Sequence, residues 1–365
     1  MHQEAVIISP KQFFIISIMF LVGDGILYVP TIVATSAKED SWIVGIISIV
    51  ETIFIVWGYA KLANGMKNQS LPDYLEKELG KWGAKLLLLL FIAYILVDIG
   101  LMVYEIGSFL ITIILPETPI ESISLALLIV ISFGVKLGIE TMSRASEILF
   151  PWFFGLFILL IVFNIPNVQL ENFQPFLQRG SAPIFEANMQ LLPYVFKMII
   201  LIAIFPFVRN QKAATKAYVL GSTGGILMLS IVIVIALLVF GVQTMTSEVF
   251  PSYLLGQEIS IGGFFQRIEV IMAIIWFISV FFKVAFCFLI FNFILASVVG
   301  IEDHRLLTLP LAFTLIPLCL AFFPNTVYLV EFIVTTWLSY SITFGVLLPF
   351  LVGGFIILKK QLHKQ

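Results

Sequence analysis

Ten long apolar stretches, separated by short polar breaks, organise this chain. By hydropathy and helix breakers they run over about 12–35, 42–62, 84–115, 121–138, 145–163, 186–208, 215–240, 267–297, 306–323 and 332–358. A bilayer's hydrocarbon core takes roughly 20 apolar residues of helix. The stretches are continuously apolar, as spanning helices require, whereas barrel strands would alternate. The pattern therefore predicts an all-α integral membrane protein of ten transmembrane helices in one domain, 1–365. An amphipathic helix is expected between the second and third spans. Ser70 can cap it, Pro72 suits its first turn, Leu71, Leu75 and Leu79 share a face, and Gly80 can close it. It is expected to lie on the membrane surface. Two outer segments, 164–185 and 241–266, are long and polar enough to be either connecting loops or gating and partner surfaces.

Composition sharpens the class: 60% of residues are hydrophobic and 12% charged, with a mean hydropathy of +1.09. About 25% charged residues are usual for a soluble domain. The net charge of −2 points to no partner, and no nucleic-acid partner is expected. The positions of the cations are more informative. With the N-terminus placed in the cytoplasm, fifteen of the twenty Lys and Arg fall on the inner side. Only Lys38, Arg179 and Arg267 fall outside, and Lys197 and Lys283 lie within spans. This asymmetry predicts that both termini are cytoplasmic. The first span runs past the length of a signal peptide's apolar region and has no small-residue cleavage site, so it is expected to remain. Met1-His2 is no myristoylation start, and the spans alone are expected to hold the protein in its membrane.

Two cysteines, Cys287 and Cys319, and three histidines, His2, His304 and His363, are too few and too scattered for a metal or disulfide framework. Phosphate-binding loops, nucleophile elbows and zincin motifs are absent from the sequence. No cofactor is expected, and no enzymatic activity.

Ten spans divide five and five, 12–163 and 186–358, and the odd number inverts the second half against the first. In transporters built this way, the site lies where the first helix of each half is broken. Span 1 holds Gly23-Asp24-Gly25 and Pro30; span 6 holds Pro193, Lys197 and Pro206. Ionisable groups at such depth cost about 2.5–3.5 kcal/mol on insertion scales, which makes each a functional candidate. Asp24 lies between glycines that allow the helix to unwind and present N–H groups to an anionic moiety. Lys197 either pairs with Asp24 or meets a ligand carboxylate. Tyr94, Asp98 and Glu105 share one face of span 3, with Glu105 expected nearer the outside and wet. Glu269, Trp276 and Lys283 form a stripe on span 8. Trp276 is expected to pack or gate, and Lys283 either replaces a bound sodium ion or pairs with Asp98 or Asp24. Glu51 and Glu147 are expected to be structural. The candidate ligand site is thus Gly23, Asp24, Gly25, Tyr94, Asp98, Lys197 and Lys283.

Several segments resemble known families. Gly23-Asp24-Gly25-Ile26-Leu27-Tyr28-Val29-Pro30 is similar to the first helix of amino acid–polyamine–organocation permeases. Ser70 to Trp82, Pro116-Glu117-Thr118-Pro119, Asn172-Phe173-Gln174-Pro175 with Gly180, and Arg267-Ile268-Glu269 with Trp276 resemble spore germination permeases. The resemblance covers the whole chain and implies the B subunit of a spore germinant receptor. It further implies a small nutrient ligand (an amino acid in many such proteins), A and C subunits as partners, and the spore's inner membrane. Span 6 departs from the permease pattern, because Tyr194–Ile204 contains no glycine. Lys197 there would repel a ligand's ammonium unless Asp98 or Asp24 intervenes, which leaves sugars, other neutral nutrients and anions open. The second functional class is a proton-coupled transporter of amino acids or amines, with Asp98, Asp24 or Lys283 titrating.

Overall fold

The computed structural model describes residues 8–261, 265–266 and 269–362. Arg267 and Ile268 of the family-like segment, and His2, His363 and Lys364, lie outside the described residues. Helices account for nearly all of the architecture, with one two-residue antiparallel pair, Ser260–Ile261 against Phe265–Gln266. Among the described residues, eight helices are long and apolar enough to cross a membrane. Shorter apolar helices, Pro10–Val22, Arg305–Cys319 and Thr326–Thr335, accompany them.

The first expected span is two helices, α1 (Pro10–Val22) and α2 (Gly25–Ala37), parted at Gly23-Asp24. α1 starts with a capping box: Ser9 Oγ accepts from the Gln12 N–H, and the Gln12 side chain accepts from the Ser9 N–H. α3 (Ser41–Gly65) follows, then α4 (Leu71–Phe109), which opens with the expected amphipathic turns. Ser70 caps them by accepting from the Asp73 N–H at 3.2 Å, and Gly80 breaks the helix with φ +78°. Leu71 and Leu75 are buried. They line a cavity of about 320 Å³ with α3, Phe91, Ile199, Ile202 and the C-terminal helix, so this face packs on the protein itself.

α5 (Ile120–Leu137), α6 (Ile139–Asn164) and α7 (Ala182–Phe196) follow. After α7 the chain tightens into a 3₁₀ helix over Lys197–Phe207. Runs beyond three or four residues are uncommon in this form and mark hinges or strain. The expected break in span 6 is therefore a narrowing, not an unwinding. Glycine is missing there to release the backbone, while Pro193 and Pro206 bracket the stretch and each removes a helical N–H. The far end of this segment is strapped to the chain start: the Ile8 N–H donates to Phe207 O at 2.9 Å, and the Arg209 N–H to Ile8 O at 3.2 Å.

α8 (Gln211–Ser247) lies against α1 and α3. Small residues permit the approach, as in membrane helix pairs generally. A Cβ on Gly221 would stand 2.5 Å from Phe14 O, and one on Gly225 3.0 Å from Ile18 O. α9 (Pro251–Gln257) is a short helix that follows, and α10 (Val270–Val299) is deeply buried. α11 (Arg305–Phe322), α12 (Thr326–Thr335), α13 (Trp337–Ile342) and α14 (Leu348–Leu362) close the chain.

Described parts of the two long polar segments, 164–185 and 241–266, are tied down. In the first, the Gln169 N–H and Asn172 Nδ2 both donate to Leu238 O, and the Leu177 N–H donates to Asp40 Oδ1 at 3.0 Å. In the second, Asn164 Nδ2 donates to Leu255 O at 2.9 Å and anchors α9.

Candidate functional site

The break at Gly23-Asp24 brings Asp24 against two lysines from distant elements. Lys197, the first residue of the 3₁₀ segment, donates to Asp24 Oδ2. Lys283 of α10 donates to Asp24 Oδ1. Lys197 Nζ also stands 2.7 Å from Asp98 Oδ1 of α4, an ion pair without hydrogen-bond alignment. The other oxygen, Asp98 Oδ2, faces the Cys287 thiol at 3.9 Å. These four charged side chains are 0–1% exposed and electrically balanced, two ammonium groups against two carboxylates. A buried charge must be paired to be tolerated, and each one here has its counterpart.

Gly23 is required sterically. A Cβ there would lie 2.5 Å from Lys283 Cδ, so only glycine lets the lysine stem cross the break. Gly25 faces Tyr194 and Leu229, whose side-chain carbons lie 3.2 Å from where its Cβ would be. Of the alternatives for Lys283, pairing with Asp24 is the one seen; for Lys197, it is pairing with both Asp24 and Asp98.

Aromatic rings floor this cluster. Lys197 Nζ is 4.8 Å from the Trp337 ring centre and 5.4 Å from that of Tyr194, within cation–π range. Tyr94 joins that wall, stacked at 5.9 Å on Trp337 and 5.1 Å on Phe344. It stands beside the charges as a packed ring, and its hydroxyl has no hydrogen-bond partner among the described residues.

Glu105 differs from expectation. Rather than wet, it is fully buried, and neither carboxylate oxygen has a partner among the described residues. One turn further along α4 lies an aromatic cluster centred on Phe109. Phe109 packs on Trp276 at 4.7 Å, Phe250 at 5.2 Å and Tyr253 at 5.5 Å. Trp276 thus packs in this cluster, one of the two roles expected for it, packing or gating. Glu51 and Glu147 have structural partners. Asn188 Nδ2 donates to both Glu51 oxygens at 2.9–3.0 Å, and Lys11 pairs with Glu147 at 2.8 Å.

The chain's residues 7–327 match the family model for spore germination proteins. It belongs to that family. Relatives include spore germination protein KB of Bacillus subtilis (strain 168), 26% identical over 80% of this chain and 77% of the relative. Spore germination protein A2 of the same organism is 25% identical over 94% and 93%. Spore germination protein XB of Bacillus anthracis is 19% identical over 75% and 78%. Among solved structures, the fold is similar to Mhp1, a nucleobase-cation-symport-1 family transporter in a closed conformation with bromovinylhydantoin bound. The TM-score is 0.62 at 14% identity, covering 96% of this chain and 78% of that one. The spore germination protein is therefore a multi-pass membrane protein with a transporter-like fold.

Proposed function

We propose that this spore germination protein is the nutrient-sensing membrane subunit of a germinant receptor. A small molecule binds beside Gly23, Asp24 and Gly25, and the resulting shift in helix packing passes to A- and C-type partner subunits in the spore's inner membrane. The observation that carries this reading is the charged cluster at the break in the first span. It joins α1, α2, α4, the 3₁₀ segment and α10 through Asp24, Asp98, Lys197 and Lys283. Anything that binds there and repartners one charge must move several helices, which is what a sensor needs. Because the four charges of the cluster balance among themselves, it holds together without a bound cation. The division into ten spans and two inverted halves, 12–163 and 186–358, belongs to the same proposal. Tyr94 takes part as the aromatic wall behind Lys197.

The transporter reading is kept by the fold similarity alone, and one experiment separates the two. The full chain is reconstituted in liposomes of phosphatidylglycerol and phosphatidylethanolamine and given radiolabelled nutrients (amino acids, sugars and nucleosides) with an imposed proton gradient. A sensor shows saturable binding of about one molecule per chain and no accumulation over time. Gradient-driven accumulation would make it a transporter, and no binding of any nutrient would remove the proposal.

A further inference from the structure

We propose that Glu105 is the ammonium-binding residue of the nutrient site and sets its specificity for ligands that carry a primary ammonium group. This rests on the reading that a nutrient binds in the core, and it adds the ligand chemistry and the residue that selects it.

Position is the first support. Glu105 is seven residues beyond Asp98 on the same face of α4, two helical turns or about 10 Å along the axis. It lies within electrostatic reach of Asp24, Asp98, Lys197 and Lys283, so it borders the same interior as the charged cluster. Both lysines of that interior are already engaged, Lys283 by Asp24 and Lys197 by Asp24 and Asp98. Glu105 is the carboxyl left over.

Its state is the second support. Neither oxygen accepts a hydrogen bond, and no cation pairs with it among the described residues, although the side chain is fully buried. A buried polar group without a partner costs about 1–3 kcal/mol, more when charged. At membrane depth such groups face cavities or pathways and mark function. A structural carboxyl in this chain looks different: Glu51 and Glu147 are both partnered.

The third support is the surroundings. One turn past Glu105, Phe109 is the hub of a ring cluster with Trp276, Phe250 and Tyr253, and Phe250 meets Tyr28 at 5.4 Å. Aromatic faces with a nearby carboxylate are the chemistry that recognises an organic ammonium. The indole Nε1 of Trp276, also unpartnered, is a donor for a ligand oxygen. The difficulty that Lys197 poses for an ammonium ligand is met by its partners: Asp24 and Asp98 both pair with it and offset its charge.

The test is equilibrium binding to the full chain in phosphatidylglycerol nanodiscs. Probes are L-amino acids and simple primary amines, their N-acetyl derivatives, and uncharged sugars and nucleosides. For wild type, the amines are expected to bind and their N-acetyl forms to bind at least tenfold more weakly, an arm that needs no variant. Glu105→Gln is expected to lose at least tenfold in amine affinity, and Glu105→Asp to keep part of it. Equal binding of amine and N-acetyl forms, or unchanged amine affinity in Glu105→Gln, would overturn the proposal. Binding of sugars or nucleosides alone would overturn it while leaving the sensor reading intact. Binding of nothing would remove both.

Discussion

At the scale of single residues, the buried cluster is a set of mutual obligations. Asp24 serves two lysines, so Asp24→Asn leaves buried positive charge behind and is expected to cost about 3–5 kcal/mol of stability. Adding Lys283→Met restores the balance and is expected to recover at least half of that loss. Thermal unfolding of the single and double variants in one detergent measures the coupling. A double variant no more stable than Asp24→Asn would contradict the pairing. Asp24, Asp98, Lys197 and Lys283 were legible in the sequence because an ionisable residue inside an apolar run is conspicuous at any register. Their pairing was legible only as one alternative among several, since the choice depends on which helices face each other. Glu105 shows the same limit: hydropathy gives its place along α4 but not its burial, nor the Phe250 and Tyr253 rings from far along the chain that pack on Phe109 one turn on. Tyr94 shares that face of α4, but its stacking on Trp337 and Phe344 joins segments far apart along the chain.

Among the elements, apolar runs and breakers located the helices, and Gly23-Asp24-Gly25 located the first break. The Ser70 cap and the stop at Gly80 were equally readable, because both are local backbone chemistry. Span 6 was not, since α and 3₁₀ helices draw on the same apolar residues and only packing selects the tighter one. Tyr218 helps select it by donating to Met198 O at 2.6 Å, from one element to the next. Helix approach is testable at α1 and α8. Gly221→Leu places its Cβ against the backbone oxygen of Phe14 and is expected to cost about 1–3 kcal/mol by overpacking. Gly155→Leu in α6, where a Cβ meets nothing within 4 Å, is expected to leave the unfolding midpoint unchanged or slightly raised. Equal effects at the two sites would contradict the packing described here.

For the molecule as a whole, the charged cluster is closed off from solvent, with Asp24, Asp98, Lys197 and Lys283 only 0–1% exposed. Glu105 is buried as well, and the Ile8 strap holds the start of α1 to the end of the 3₁₀ segment. A solute reaches these groups only when the helices part. Nutrient binding that stabilises this core raises its unfolding midpoint by mass action. The most direct measurement is therefore a thermal-shift panel of nutrients on the purified full chain, run in parallel on wild type and on the charge-balanced Asp24→Asn/Lys283→Met variant. The account predicts that at least one nutrient raises the wild-type midpoint and leaves the variant's unmoved. A nutrient that shifts both by the same amount would contradict a site at the break in the first span.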